Sequence, residues 1–571
     1  MTVLHRLVPL LAVAGLATVP SGCGSSAAHT LASPAPSTAG APANQRSLAR
    51  AESVYQAMRY FVDQADVTRA TARKANEAGL TPVELDRHAA QARDTLMRLL
   101  AAVDTAALGA EDRRAVATMR VDVSPELYEA TDSAAARIPD CTSRTTAPTD
   151  SALERALTQR MLRCYSSVVH HIVIDGQILD RLTILDMLEH ESDPKRREEI
   201  FRALGQLWQT INGDGGADSP YRRRQRLNAP AWADGHSPAD SNAIVLGVRP
   251  EVMQRWLTDV LETWRANTPD SLIEPWDYYY VTGRASRVLS PRVTSLLGID
   301  TMYYKSLGAD IGLLGVHFDL ALHAGKTPVA ETGFGARPRC VNGKPVDGQP
   351  WVFATYQTVT LDNLDELMHE TGHAIHIASI CTRPAFADWP DNTSYTEALA
   401  ELIAEDVNEP TWQRHWLGDS LPTRDALEYK YSGAIMDIAW ALFEVRVYGD
   451  PTLDPNVVWG DITERYLHIR RHPELSWWAA RAQLIDAPGY LMNYAIGAII
   501  VADLRARMRQ LRPMKVDGDP GWYDWIWPQL YRWGLEKSSQ QVIEDFLGRP
   551  LSPDALLADI RRMGAASAAT R

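Results

Sequence analysis

The segment Leu361–Ser379 has the strongest local pattern in the sequence and reads LDNLDELMHETGHAIHIAS. Its apolar residues recur every three or four positions, acidic residues crowd its start, and Pro384 follows its end. This pattern predicts an amphipathic helix. Within it, His369, Glu370 and His373 form the motif H-E-x-x-H. Residues four apart lie on one helix face, so the two imidazoles can bind one small cation with a carboxylate beside it.

A third metal ligand is expected from the next predicted helix, at residues 394–405. Glu397 and Glu401 lie one turn apart in this helix. Two histidines and one glutamate form a catalytic zinc set in which the fourth coordination position stays open. In such a set, Glu401 is placed to accept a hydrogen bond from a ligand imidazole. The alternative is that Glu397, Glu401 and Glu405 form a solvated acidic face.

Other histidine sites are disfavoured by their spacing. A site with three histidines would need the third one ten positions after the first, where this chain has Ser379. His376 lies on the same face as His369, but about 10 Å further along the helix axis. Because zinc–nitrogen bonds are about 2.1 Å long, one ion cannot bind both. We therefore predict that His376 is a packed or supporting histidine.

The composition of the chain is that of an ordinary globular protein, with 571 residues, 45% hydrophobic and 23% charged. This length allows a large buried core and about two to four domains. The net charge of −13 argues against nucleic acid as a partner. The basic run at residues 221–226 is predicted to be a solvated or salt-bridged face.

The N-terminus predicts export. Its apolar run, at residues 7–19, is too short to span a bilayer comfortably. Residues 1–23 resemble a bacterial lipoprotein signal in which Cys23 carries the lipid, although Pro20 leaves cleavage by the ordinary secretory peptidase as an alternative. Residues 24–46 are rich in serine, alanine, proline and threonine and predict a flexible tether. We expect a protein of the bacterial cell envelope, lipid-anchored at the membrane surface or otherwise secreted.

Four cysteines remain after Cys23, and an even number in an exported chain favours disulfides. Local pairing of Cys141 with Cys164 and of Cys340 with Cys381 is preferred among the three connectivities. The other two connectivities and buried free thiols stay open as alternatives. The second local pair would brace the end of the motif helix against the segment that precedes it.

The chain is expected to fall into two large regions. Residues 47–307 are predicted to be a helical N-terminal region that serves as scaffold or as one wall of a cleft. Residues 308–571 carry the motif and are predicted to be the catalytic region. Within it, residues 315–320 and 351–358 are β-branched and aromatic and predict a small sheet leading into the motif helix. An edge strand beside a metal can bind an extended peptide through backbone hydrogen bonds.

Two tyrosines, Tyr490 and Tyr494, lie one turn apart at the start of a further predicted helix. A phenol near a catalytic metal can donate a hydrogen bond to the oxyanion of a tetrahedral intermediate. Ordinary packing in the core is the alternative role for each of them.

These residues resemble the thimet oligopeptidase and oligoendopeptidase F family of zinc metallopeptidases, over about residues 308–557. The N-terminal half matches only in its helical character. The angiotensin-converting-enzyme family shares this kind of ligand set and a helical cleft, and is the nearest rival. Four matches carry the resemblance, in the order that the family has them: F-D-L at 318–320 with G-K at 325–326, H-E-T-G-H-A-I-H at 369–376, E-A at 397–398, and F-L-G-R-P-L-S-P-D-A-L-L at 546–557.

The resemblance implies a mainly α fold, with a two-lobed helical body, a deep central cleft and a small β-sheet next to the motif helix. It implies that His369, His373 and Glu397 bind one Zn²⁺ ion and that Glu370 is the general base. It also implies that the substrates are short peptides rather than folded proteins.

The resemblance further implies that Tyr490 and Tyr494 stabilise the transition state. The chain departs from the family pattern at Leu484, where family members have a histidine. His468 and His472 lie upstream and are candidate substitutes for it.

The expected activity is zinc-dependent hydrolysis of peptide bonds, with zinc-bound water as nucleophile and Glu370 as general base. One alternative is a dipeptidyl carboxypeptidase of the converting-enzyme kind, which would recognise the free C-terminus of its substrate. Another is a surface lipoprotein that keeps the metal and binds peptides without cutting them. Apart from peptides, the only partner expected is a membrane, reached through a lipid on Cys23.

Overall fold

The computed structural model describes most of the chain, and helix α1 begins inside the last residues of the predicted tether. The predicted signal peptide with Cys23, the start of the tether, and Gly325 of the family segment lie outside the described residues. None of the helices that the structure describes combines the length and hydropathy needed to cross a bilayer. The described residues are 43–124, 141, 144–233, 237–269, 271–283, 295–323, 326, 330–356 and 359–569.

The fold is mainly α, as predicted. Short helical turns join many of the longer helices. The α-helices are α1 (Ala43–Ala70), α2 (Pro82–Ala101), α3 (Ala110–Asp122), α4 (Asp150–Val168), α5 (Arg181–His190), α6 (Pro194–Ala203), α7 (Gly205–Asn212), α8 (Pro220–Trp232), α9 (Pro238–Val245), α10 (Pro250–Asn267), α11 (Tyr278–Thr282), α12 (Leu296–Ser306), α13 (Leu361–Ser379), α14 (Thr393–Ala404), α15 (Pro410–Trp416), α16 (Thr423–Gly449), α17 (Pro455–Leu467), α18 (Gln483–Asp486), α19 (Leu491–Leu511), α20 (Trp522–Ile526), α21 (Ser539–Leu547) and α22 (Asp554–Ala569).

The short strands of the described chain form three small sheets. The strands are β1 (Ile172–Ile174), β2 (Gln177–Leu179), β3 (His317–Asp319), β4 (Glu331–Ala336), β5 (Arg339–Val341), β6 (Lys344–Val346) and β7 (Gln349–Phe353). In the central sheet, β7 pairs in parallel with β3 and antiparallel with β4. The sheet next to the motif helix is thus confirmed, with β4 as an additional strand. The sequence did not predict β4, because this strand contains two glycines and glycine is depleted in strands.

The motif helix α13 starts at a side-chain cap and runs through the core. The Asn363 N–H donates to the Thr360 hydroxyl at 3.1 Å, and Asp362 lies in the positive first turn. Every residue of α13 is buried except Asp362, Asn363 and Glu366. The predicted helix is therefore correct, but it is covered on nearly all sides rather than half exposed. The H-E-x-x-H motif consequently lies at the centre of the molecule.

Helix α14 packs against α13 at a point where only glycine fits. The Tyr395 N–H donates to the Asn392 side chain at 3.0 Å and starts α14. A Cβ on Gly372 would lie 2.5 Å from the carbonyl oxygen of Ala400. This contact between backbones is possible only without a side chain. It brings Glu397, one turn earlier in α14, next to the two motif histidines.

One apolar core joins the two predicted regions. It contains residues on both sides of the expected boundary, such as Leu307 and Ile311. A second apolar cluster lies between α1, α2 and α3 and the turn at Ala385 and Phe386. The helices of residues 150–307 therefore pack onto the C-terminal half through a common core, and the boundary at residue 308 stays a prediction.

The preferred cysteine pairing is confirmed. Disulfides join Cys141 to Cys164 and Cys340 to Cys381. The second disulfide ties the β5–β6 hairpin to the residues that follow α13. It therefore braces the end of the motif helix, as the sequence predicts.

The basic run at residues 221–226 is a salt-bridged face of α8. Arg222 contacts Asp454 at 3.1 Å, and Arg224 contacts Glu154 at 3.0 Å. These arginines are occupied by carboxylates of the chain itself, which agrees with the reading of this run as structural.

Candidate metal centre

The three predicted ligands converge in the structure. The Nε2 atoms of His369 and His373 lie 3.5 Å and 3.4 Å from the same carboxylate oxygen of Glu397. All three side chains are buried, and their donor atoms lie within 4.8 Å of one another. Helix α13 supplies the two imidazoles from adjacent turns, and α14 supplies the carboxylate across the contact at Gly372.

These separations fit the donor set of a tetrahedral metal site. Charge-assisted N–H···O bonds are about 2.7–2.9 Å long, so 3.4–3.5 Å is long for direct bonding between His369, His373 and Glu397. Zinc–ligand bonds of about 2.1 Å at tetrahedral angles separate neighbouring donor atoms by about 3.4 Å. Two neutral imidazoles and one carboxylate are also the ligand types that zinc prefers in catalytic sites. The residues present therefore fit a zinc ion.

Glu401 orients one of the ligands. His369 Nδ1 lies 2.8 Å from Glu401 Oε1, so this nitrogen donates its hydrogen and directs Nε2 toward Glu397. Burial by itself lowers the pKa of His369, but the charges of Glu401 and Glu397 outweigh burial and raise it. The geometry is the one expected for Glu401 from the sequence.

The ligand carboxylate is held ionised. Burial by itself raises the pKa of Glu397, but the adjacent His373 and His369 outweigh burial and hold this pKa well below its usual value. An ionised carboxylate is the form that binds a metal.

Glu370 is the second carboxylate of the centre and is fully buried. Its Oε1 lies 3.9 Å from His369 Nε2, and its Oε2 accepts a hydrogen bond from the Thr332 hydroxyl at 2.6 Å. Burial raises the pKa of Glu370 to about 8, although His369 and Thr332 oppose the rise. A carboxylate with a raised pKa beside the ligand set suits a general base that must take up a proton and later release it.

The role of Thr332 was not visible in the sequence. It lies in β4, whose glycines conceal the strand, and it is distant from the motif along the chain. Its hydroxyl also lies 3.0 Å from the backbone carbonyl of Glu370. No sequence signal pairs a threonine in one element with a glutamate in another, so only the packing of β4 on α13 reveals the contact.

A cavity opens beside the ligand set. His369, Glu397 and Tyr494 line it, and α16 closes the other side. Burial raises the pKa of Tyr494 well above its usual value, so this phenol keeps its proton as a hydrogen-bond donor. Small residues form much of the wall, namely Ala398, Gly433, Ala434, Gly497 and Ala498.

The two predicted tyrosines occupy different positions. Tyr494 lines the cavity of the ligand set, whereas Tyr490 packs edge-on against Tyr494 with ring centroids 5.4 Å apart. Among the described residues that line this cavity, Tyr490 is absent. Tyr494 therefore lines the cavity beside the ligand set, and Tyr490 contacts Tyr494.

The remaining histidines of the sequence analysis have structural contacts. His376 is fully buried and its Nε2 lies 3.4 Å from the Trp533 carbonyl, which agrees with its predicted packed role. His472 contacts Glu274 at 2.8 Å, and His468 lies 3.3 Å from a backbone carbonyl of α10. Neither His468 nor His472 is among the described residues that line the cavity, and the substitution of either for the histidine expected at Leu484 stays a prediction.

Solved structures with the same fold are peptidases. The chain is similar to Trypanosoma cruzi metallocarboxypeptidase 1, with a TM-score of 0.51, 14% identity, and coverage of 91% of this chain and 99% of that one. It is also similar to PZ peptidase A with an inhibitor, with a TM-score of 0.50, 16% identity, and coverage of 91% of this chain and 96% of that one. The similarity to an oligoendopeptidase F has a TM-score of 0.51, 15% identity, and coverage of 89% of this chain and 96% of that one. No profile of a protein family and no curated protein sequence matches.

These similarities confirm the fold that the motifs imply. The chain has the mainly helical architecture of oligopeptidase-type metallopeptidases along nearly the whole length of each of these structures. At this level of identity, likeness is evidence for the fold alone, and the chemistry must be argued from the residues of the site.

Proposed function

We propose that this protein is a zinc-dependent metallopeptidase that hydrolyses peptide bonds in short peptides. The observation that carries the proposal is the convergence of His369, His373 and Glu397 beside the buried carboxylate of Glu370. The wall of small residues supports it, because an extended peptide needs space next to the ligand set. The peptidase fold of the similar structures supports it as well.

The residues divide the chemistry between them. His369, His373 and Glu397 would hold the zinc ion, with Glu401 fixing the orientation of His369. When bound, zinc polarises the scissile carbonyl and lowers the pKa of a coordinated water toward about 7. Glu370 accepts a proton from the attacking water and passes it to the leaving amine.

Two further contacts assist these groups. Thr332 fixes the position of the Glu370 carboxylate, so that the base lies on one side of the ligand set. Tyr494, which lines the cavity beside the ligand set, would donate a hydrogen bond to the oxygen that gains negative charge during attack. Tyr490 supports Tyr494 by packing on its ring.

The test combines metal analysis with peptide turnover. The purified protein is expected to hold one zinc ion per chain and to cleave a mixed pool of short peptides, with loss of cleavage on chelation and recovery on adding zinc. Glu370→Gln should retain the metal and lose about 10²- to 10⁴-fold in kcat. A Glu370→Gln protein that keeps most of its activity would refute the base assignment.

The same experiment separates the alternative of a non-catalytic peptide binder. That alternative predicts metal and peptide binding without turnover in the unaltered protein. A folded, exposed protein substrate serves as the specificity control, because an oligopeptidase should leave it intact. Mapping the cut sites by mass spectrometry then distinguishes endopeptidase from carboxypeptidase action.

We also propose that the protein acts at the bacterial cell envelope through a lipid on Cys23. The hydrophobic run and cysteine of the N-terminal segment support this proposal. Cys23→Ser should release the protein from the membrane fraction into the medium. Retention of Cys23→Ser in the membrane fraction would argue against a lipid anchor.

A further inference from the structure

A second cavity lies next to the one beside the ligand set. Three residues of α16, Tyr429, Gly433 and Asp437, line both cavities. They follow one another at intervals of four positions and therefore share one face of the helix. We call the first cavity the metal end and the second the arginine end of one cleft.

The arginine end is named for Arg181, the first residue of α5. Arg181 is only 6% exposed, yet it lines the cavity. Its Nε is buried without a hydrogen-bond partner, and no hydrogen bond or ion pair joins its guanidinium to any described residue. A buried charge without a counter-ion is costly and is seldom retained without a function.

The other charged groups of the arginine end are already engaged. Arg481 binds Asp437 at 2.7 Å, and Asp362 accepts a hydrogen bond from the Tyr429 hydroxyl at 2.6 Å. Glu189 also lines the cavity, but it lies eight residues after Arg181 on α5, which is about 12 Å along the helix axis. Among the described residues that line the arginine end, Arg181 is therefore the cation left to bind a ligand.

The charge of Arg181 acts on two nearby tyrosines, Tyr279 and Tyr165. Burial raises the pKa of Tyr279, and the charges of Arg181 and Arg481 both oppose this rise. Both arginines act on Tyr165 in the same way. Arg181 and Arg481 therefore flank the same small region of the cleft, and Tyr279 forms part of its wall.

We propose that Arg181 binds a carboxylate of the substrate peptide at the arginine end of the cleft while the bond to be cut lies at the metal end. A guanidinium presents two parallel N–H groups that match a carboxylate. The carboxylate is supplied by the C-terminus of the peptide or by an acidic side chain. This inference rests on the proposed peptidase function for its catalytic meaning, but the binding site itself does not depend on turnover.

The length of the shared wall fits a short peptide. From Tyr429 to Asp437 the axis of α16 rises about 12 Å. An extended peptide rises about 3.3 Å per residue, so this wall corresponds to about four residues. A fixed carboxylate at one end would set the register of the peptide and with it the distance from the anchor to the cut bond.

The first test measures peptide binding rather than cleavage. The full-length protein carrying Glu370→Gln is titrated with fluorescently labelled peptides that are identical except for their ends: a free C-terminal carboxylate, a carboxamide, and a carboxamide preceded by glutamate. The free acid should bind about 10- to 100-fold more tightly than the plain carboxamide. Adding Arg181→Gln should remove this difference.

The three peptides distinguish the source of the carboxylate. If only the free acid binds tightly, Arg181 recognises the C-terminus. If the glutamate-containing carboxamide binds equally well, it recognises an acidic side chain. The proposal is overturned if Arg181→Gln binds all three peptides as the parent does, or if it weakens all three equally, which would indicate a structural role.

The control variant is Arg202→Gln. Arg202 lies on α6 in the same half of the chain, but its side chain is 42% exposed and binds Glu198. The substitution Arg202→Gln removes one positive charge, as Arg181→Gln does, but at a residue outside the cleft. Peptide binding should therefore not change. Thermal unfolding of Arg181→Gln gives a second readout, because loss of an uncompensated buried charge should leave the melting temperature unchanged or higher.

A second substitution tests the path between the two ends. A Cβ on Gly433 would meet no atom within 4 Å, so a side chain there fits and projects into the cleft. Gly433→Leu should weaken binding of the free acid about tenfold while the metal content stays at that of the parent. Unchanged binding of the free acid would show that the two cavities are separate and would overturn the proposal.

The inference and the proposed function fail in different ways. Carboxylate-dependent binding without hydrolysis by the unaltered protein would remove the peptidase proposal and leave the Arg181 site intact. Hydrolysis that is insensitive to Arg181→Gln and to the C-terminal group would remove the Arg181 site and leave the peptidase proposal intact.

Discussion

The two ends of the cleft treat buried charge in opposite ways. At the metal end, acidic side chains contact the histidines: Glu401 contacts His369, and Glu397 lies close to both motif histidines. At the arginine end, Arg181 is buried, and its Nε has no hydrogen-bond partner among the described residues. The ligands at the metal end have opposing ionisable groups beside them, whereas Arg181 makes no such contact with any described residue. On the proposed function, the metal end would serve the reaction and the arginine end the recognition of the substrate.

The largest loss of zinc affinity and stability is expected from a substitution at Gly372, where the backbones of α13 and α14 are in contact. Gly372→Val would place side-chain carbon against the Ala400 backbone, which already lies 2.5 Å from an added Cβ. Helix α14 must then move away, and Glu397 moves with it. Zinc affinity should therefore fall by more than 100-fold, and the free energy of unfolding should fall by about 3 kcal/mol. Zinc titration and thermal unfolding measure the two losses.

The matched substitution is Gly433→Ala, a helical glycine whose added Cβ meets nothing. It should keep zinc affinity and leave stability the same or slightly higher, because alanine favours helix over glycine. If Gly372→Val also keeps full zinc affinity, the ligand set does not depend on this close helix contact.

A buried carboxylate on α16 tests the cost of uncompensated charge. Burial raises the pKa of Glu444 to about 7, and its hydrogen bonds from Tyr448 and the Gly489 N–H offset only part of the rise. Between the usual pKa near 4.5 and 7, the folded protein keeps a proton that the unfolded chain releases. The free energy of unfolding should therefore fall as pH rises through this window, by up to about 3 kcal/mol from this group.

Glu444→Gln should remove that part of the pH dependence. Chemical denaturation at pH 4.5, 6 and 7.5 gives the comparison with the unaltered protein. The half-exposed Glu262 provides the control, since Glu262→Gln should leave the pH profile as it is. Identical pH profiles for Glu444→Gln and the unaltered protein would show that Glu444 is already ionised in the fold.

The next effect concerns the orientation of a ligand. Glu401→Gln replaces the carboxylate that accepts from His369 Nδ1 at 2.8 Å by an amide, a weaker acceptor. Zinc affinity should fall by about 10- to 100-fold while the fold is retained. Competition with a chromogenic chelator measures the affinity. An unchanged affinity would mean that the Glu401 contact does not orient the imidazole.

The smallest effect is expected at the support of the base. Thr332→Val keeps the shape of the side chain but removes the hydroxyl that donates to Glu370 at 2.6 Å. We expect kcat to fall by about tenfold with little change in KM, and the pH–rate profile to shift, because a hydrogen bond to a charged group is lost. Thr332→Ser should restore most of the activity. Equal losses in Thr332→Val and Thr332→Ser would point to packing instead.

The sequence could predict the metal end because its chemistry follows local rules. His369 and His373 share a face through helical spacing alone, and Glu370 comes with them. Glu397 was a choice among the three acidic residues Glu397, Glu401 and Glu405, and it was made by the resemblance and by the ligand set that zinc prefers. The strand β4 was missed because its glycines gave no strand signal, and Thr332 was missed with it.

What the sequence determined by itself was therefore the helical character and the motif face, since each depends on residues close in the chain, whereas the cysteine pairing was a preference among three connectivities that the structure decided. Tertiary structure alone decided that α13 is covered on nearly all sides, that Gly372 admits α14, and that Arg181 shares a cleft with Gly433 of α16. The physical reason is that burial and charge compensation depend on which distant side chains come together. Local periodicity specifies a face of a helix, but only packing specifies what that face meets.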